Sequence, residues 1–111
     1  MPAPDVRPFK RPDWEPVPMA GFVNVEGKVI VGDDDLVLAL LRFGEHGAID
    51  PHAGPNNTLV SCIEGHGFTS VDAVTAELHA GQTVYWPAGV HHGLWTEEST
   101  MTTLMYEPFR P

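Results

Sequence analysis

From residue 21 onward the chain is a succession of short runs of β-branched, aromatic and aliphatic residues, each ended by turn residues. That spacing leaves little choice of architecture. Residues 22–25 and 28–31 flank Glu26-Gly27, and 36–43 follows the acidic turn Asp33-Asp34-Asp35. Residues 58–63 precede Gly65-His66-Gly67, and 68–71 and 74–78 flank Asp72-Ala73. Thr83–Trp86, 92–96 and 100–106 complete the series. No stretch of about ten residues has the periodicity of an amphipathic helix, and nothing repeats at a period of about 20–50 residues. The pattern predicts an all-β sandwich or barrel.

Residues 1–18 behave differently. Pro2, Pro4, Pro8, Pro12, Pro16 and Pro18 exclude a helix and a central strand there. This segment is expected to be either a mobile arm or an extended segment lying on the barrel or on a partner, with Phe9 and Trp14 as anchors. The expected organisation is therefore a Pro-rich arm over 1–18 and one barrel domain over 19–111. A chain of 111 residues has room for no second domain.

Composition narrows the setting. The longest apolar run, residues 36–41, is strand-sized and far short of the roughly 20 residues of a membrane span. The first 18 residues contain no apolar core of a signal peptide, and the lone Cys62 has no intrachain disulfide partner. A cytoplasmic protein is expected. The formal net charge is −9, and the one basic cluster, Arg7, Lys10 and Arg11, is offset by Asp5, Asp13 and Glu15. Nucleic acid and anionic membranes are not expected partners.

Two stretches carry chemistry. In the second, Gly81 turns the chain, Thr83–Trp86 forms a strand that Pro87 stops, Gly89 permits a tight turn, and a new strand opens at His92. The first contains Gly44, Asp50, Pro51 and His52, then Asn56, Asn57 and Thr58, then Gly65. Asp50 and His52 are two residues apart, so on a regular strand they face the same side.

The second stretch resembles the second cupin motif, G-x5-P-x-G-x2-H-x3-N. Gly81, Pro87, Gly89 and His92 fall in register, and Thr96 stands where Asn is usual. At background frequencies four such matches arise about once in 200,000 starting positions. The first stretch resembles the first motif, G-x5-H-x-H-x3,4-E-x6-G, more loosely. Gly44 and His52 match, Asp50 replaces the first His, and Asn56 or Asn57 replaces the Glu. Counting back from Gly65 puts Thr58 there instead.

The resemblance implies a jelly-roll (double-stranded β-helix) barrel. It also implies a divalent iron, manganese, nickel, zinc or copper ion held by His52 and His92, with Asp50 and Asn57 as weaker candidates. Two His and a carboxylate suit non-haem iron with open positions. Against this, an Asp side chain has shorter reach than an imidazole, and Asp-Pro is also ordinary turn chemistry. A polar pocket without metal is the alternative.

Thr58, Cys62, Leu94 and Thr96 are candidate pocket residues, with Cys62 also a candidate core residue. Tyr85 and Tyr106 are candidate proton donors if they face inward. His91 is expected on the face opposite His92, and His46, His66 and His79 at the surface, with His46 near the barrel rim as a reserve ligand. The implied function is a metalloenzyme, dioxygenase-like or an isomerase or lyase, acting on a small chelating organic molecule. A non-catalytic binding or sensing module is the alternative. A homodimer is expected, because exposed strand edges need covering and the Pro-rich arm can cross to a partner.

Overall fold

A computed structural model describes residues 2–108; Met1 and residues 109–111, the outer ends of the two expected segments, lie outside the described residues. The strands are β1 (Glu15–Pro16), β2 (Phe22–Gly32), β3 (Leu36–Ala53), β4 (Thr58–Val71), β5 (Val74–His79), β6 (Thr83–Trp86), β7 (His91–Trp95) and β8 (Met101–Pro108). Every pairing is antiparallel. Among the described residues no helix is long and apolar enough to cross a membrane.

Two long strands close the barrel. Along one edge β3 pairs first with β8, over residues 36–43, and then with β7, over residues 48–53. β4 does the same, pairing with β8 and then with β7. The ring β3–β8–β4–β7 leaves none of these four strands with a free inner edge, which is the jelly-roll solution to edge exposure. β2 lies outside β3, while β5 and β6 lie outside β4.

Strand limits differ from the sequence pattern at three places, the first being β3, which runs past residue 43 to Ala53. Glu26-Gly27 is not a turn; it lies inside β2, opposite Arg42 and Leu41. A side chain at Gly27 would crowd Val17 and Leu41, at 3.2 and 3.3 Å, so the glycine makes room for the incoming N-terminal segment. Gly65-His66-Gly67 likewise lies inside β4, at the point where that strand changes partner. Asp72-Ala73 is a true hairpin turn, with φ of +50° and +65°, the left-handed pair that a two-residue hairpin needs.

Alternation then sorts the side chains. Ala39, Leu41, Phe43, Val60, Cys62, Met101 and Thr103 turn inward and are buried in the barrel. The outer face carries the opposite parity. There Val31, Leu38, Tyr106, Leu59 and Tyr85 are successive register partners across five strands. In the N-terminal segment, residues 2–14 form no strand or helix. Trp14 sits beneath the Lys28 ammonium, 5.1 Å from the ring centre, and the Arg42 guanidinium at 4.3 Å. Phe9 is 72% exposed.

The corner in β4 gives a quantitative test. Gly65 has φ +75°, and a Cβ there would overlap the Thr100 carbonyl oxygen; Gly81 has φ +90° with open space around it. Gly81→Ala therefore meets only the left-handed backbone cost, about 1 kcal/mol. Gly65→Ala adds a backbone clash and is expected to cost about 3 kcal/mol or more. Urea unfolding measures both, and equal losses would show that the Thr100 contact does not fix the corner.

Candidate active site

The site begins with a slip in register. Ile49 of β3 opposes Leu94 of β7, yet His52 opposes His92, so three steps on β3 face two on β7. This is a β-bulge, and Pro51, which has no N–H to donate to a ladder, sits in it. The extra residue reverses parity. Ile49 is buried and His52, itself solvent-exposed, lines the cavity beside it, while Asp50 is exposed and does not line it, its N–H donating to the Gly21 carbonyl at 2.9 Å. The expectation that Asp50 and His52 share a face fails for this reason.

The two imidazoles do converge. Their ring centres are 4.6 Å apart, at 69°. His52 Nδ1 lies 3.0 Å from the Asp50 carbonyl oxygen. A carbonyl only accepts, so Nδ1 is assigned the hydrogen and neutral His52 keeps its lone pair on Nε2. His92 is 4% exposed and stacks flat on Trp86, 4.1 Å between centres and 8° between planes. Trp86 is itself fixed, because its Nε1–H donates to Thr69 Oγ1 at 3.0 Å, and that hydroxyl donates to the Gly93 carbonyl at 2.9 Å. Burial lowers the His92 pKa below its usual 6.5, and repulsion from His52 adds to this, with the Val90 backbone opposing in part. His92 is thus neutral at pH 7, and its buried Nδ1 has no hydrogen-bond partner.

Above the pair opens a cavity of about 430 Å³. Phe22, Leu41, Ile49, Trp86 and Met105 supply much of its apolar wall, and Val17 and Met19 of the N-terminal segment close one side. Thr58 lines it, as expected. Leu94 and Thr96 face inward but do not line it: Leu94 is fully buried, and the Thr96 hydroxyl donates to the Gly44 carbonyl at 2.6 Å. Cys62 is also core. Its thiol donates to the Glu64 and Gly65 carbonyls, and burial pushes its pKa up.

Three further expectations need correction. Tyr85 and Tyr106, 49% and 40% exposed, stand on the outer face; their neighbours Trp86 and Met105 take the inward parity. Neither tyrosine reaches the cavity. Asn57 does not turn to the imidazoles either, because its Oδ1 accepts the Ala88 N–H at 2.8 Å. With the Gly89 N–H donating to the Gly54 carbonyl at 2.8 Å, this bond ties the Pro87–Gly89 turn to the loop after His52. His91 is exposed, and His66 and His79 stack on each other at the surface, 5.3 Å apart. Sequence reasoning left Trp86 as general core material; its place at the end of a strand that pairs with Thr58 was the available signal.

The model of the cupin domain family matches residues 39–106, more than half of the chain. The chain is a cupin. It is 36% identical over 87 residues to germin-like protein subfamily 1 member 1 of Arabidopsis thaliana, covering 73% of this chain and 39% of that protein. It is 28% identical over 91 residues to the dimethylsulfoniopropionate lyase DddW of Ruegeria pomeroyi, covering 73% of this chain and 60% of that one. The cupin thus spans less than two thirds of either curated relative. Among solved structures, the polyketide cyclase RemF of Streptomyces resistomycificus superposes with a TM-score of 0.82 at 21% identity, over 96% of this chain and 81% of that one. That likeness establishes the fold.

Cupins commonly bind metals, so the donor set matters. His52 and His92 supply two ligands with nitrogens to spare. Asp50 is on the wrong face and Asn57 is occupied elsewhere. Among the described residues no group of three or more His, Cys, Asp or Glu side chains is arranged to hold an ion. The side chains present do not make up a complete centre, and the two-His-one-carboxylate set of a non-haem iron oxygenase is not assembled.

The neutral His92 has a consequence for stability. Its native pKa is depressed, so the unfolded chain binds the extra proton more readily, and stability rises with pH across the interval. This contribution is complete above about pH 6.5 and is lost as pH falls towards the native pKa. Thermal unfolding at pH 7.5, 6.5 and 5.5 should show a decline that is shallower in His92→Gln. Parallel declines would contradict a buried neutral His92.

Proposed function

We propose that this cupin binds a small, largely apolar organic molecule in the barrel and moves a proton on it, with His52 as the base. The observation that carries this reading is the His52–His92 pair itself. It sets an imidazole with a free Nε2 lone pair beside a buried neutral one, on a fixed Trp86, at the base of a cavity whose wall is mostly apolar. In such surroundings an imidazole is a competent general base near neutral pH. His52 Nε2 would accept a proton from an acidic C–H or O–H of the bound molecule, the electron pair remaining on the substrate for elimination, isomerisation or ring closure. The names of two similar proteins, a lyase and a polyketide cyclase, support this class of chemistry.

Deuterium incorporation from D2O into a panel of small carbonyl compounds reads proton abstraction without requiring the natural substrate. Exchange should fall by about a hundredfold or more in His52→Ala and persist after chelator treatment. One metal ion per purified chain, lost in both His52→Ala and His92→Ala together with exchange, would overturn the proposal in favour of a metal centre.

We infer also that the cupin pairs with a second copy through its outer face. Support comes from the row Val31, Leu38, Tyr106, Leu59 and Tyr85, which runs about 19 Å across five strands without a charge. In a chain of net charge −9, an uncharged self-complementary face is where two copies approach with least repulsion. Light scattering should give a dimer mass that Tyr106→Glu reduces to a monomer. A monomeric wild type would sink this arrangement.

A further inference from the structure

The polar inventory of the cavity is one-sided. β8 turns Met101, Thr103 and Met105 inward, and the same parity carries Glu107 into the cavity wall, opposite Val37, which also lines it. Glu107 forms no ion pair with any described residue. Lys28 belongs to the same wall, but its ammonium lies over the Trp14 ring, and Trp14 is not part of the cavity. The donors that could have served an anion are committed or turned away. The Trp86 Nε1–H is given to Thr69, and both tyrosine hydroxyls are on the outer face. What remains to meet a ligand in this wall is the Glu107 carboxylate, the His52 Nε2 lone pair and the Thr58 hydroxyl.

A carboxylate accepts hydrogen bonds only, and neutral His52 accepts at Nε2. Such a wall complements a hydrogen-bond donor bearing positive charge. The net charge of −9 puts a field of the same sign around it. Phe22 adds an aromatic surface, which attracts cations.

We propose that the ligand class of this cupin is a small apolar organic cation, such as a protonated amine, with Glu107 as the counter-charge that selects it. The inference rests on the proposal that the cavity binds an apolar organic molecule, and its test separates the two. Three probes of one shape serve: benzylammonium, benzyl alcohol and benzoate. Titration by NMR should rank them in that order, with about tenfold or more between the first and the last. Glu107→Gln should bring the charged probes to within about threefold of each other, and Glu107→Lys should reverse the order. High salt should narrow the wild-type preference.

If all three probes bind but benzoate equals or exceeds benzylammonium, the cavity reading stands and the role of Glu107 is overturned. A preference that survives Glu107→Gln overturns that role as well. If none of the three binds, the cavity reading falls and this inference falls with it.

Discussion

The site depends on one irregularity, the bulge in β3 between Ile49 and His52. A regular strand would have pointed Asp50 and His52 the same way and left Ile49 opposed to both. The extra residue keeps Ile49 in the apolar wall, brings His52 opposite His92, and sends Asp50 to solvent. The change in chemistry is large. A carboxylate between two imidazoles would favour cationic His and a bound ion. Its removal leaves His92 governed by burial, and burial favours the neutral ring. The Asp50 backbone still contributes, because its carbonyl receives His52 Nδ1–H and so decides which nitrogen faces the cavity.

The rest of the barrel holds that pair in place. Trp86 packs flat against His92 and is tied through Thr69 to the Gly93 backbone, two strands away. The turn at Pro87–Gly89 is fastened to the loop after His52 by Asn57 and Gly54. Thr96 fastens the Gly44–Gly47 corner of β3, accepting the Gly47 N–H at 3.0 Å and donating to the Gly44 carbonyl. Asn57, which the motif pattern suggests as a weaker ligand, and Thr96, a candidate pocket residue, thus act here as backbone ties. They make the turns rigid rather than joining the cavity.

Much of this was legible in the chain. Turn residues act locally, so Gly81, Pro87, Gly89 and His92 read correctly, and the β-rich spacing pointed to the all-β barrel. What was hidden depends on partners distant in sequence. Gly27 reads as a turn residue until Val17 and Leu41 are seen against it, and the corner at Gly65 exists only because Thr100 crosses it. The bulge at Pro51 is defined by pairing with β7, which no run of residues 44–58 reveals. Tyr85 and Tyr106 could have been placed by parity. Once His92 faces in, the register through Thr58 and Trp86 sets β6, and the inward Met105 sets β8. The inward Glu107 follows from that same parity.

The most direct test of this account is the chemical shift of the imidazole nitrogens in uniformly 15N-labelled protein, followed from pH 8 to pH 5. His52 should show a protonated Nδ1 and a lone pair on Nε2, and the His92 pKa should lie below the usual 6.5. A His92 pKa at or above 6.5, or a His52 carrying its hydrogen on Nε2, would contradict the arrangement on which the proposed chemistry rests.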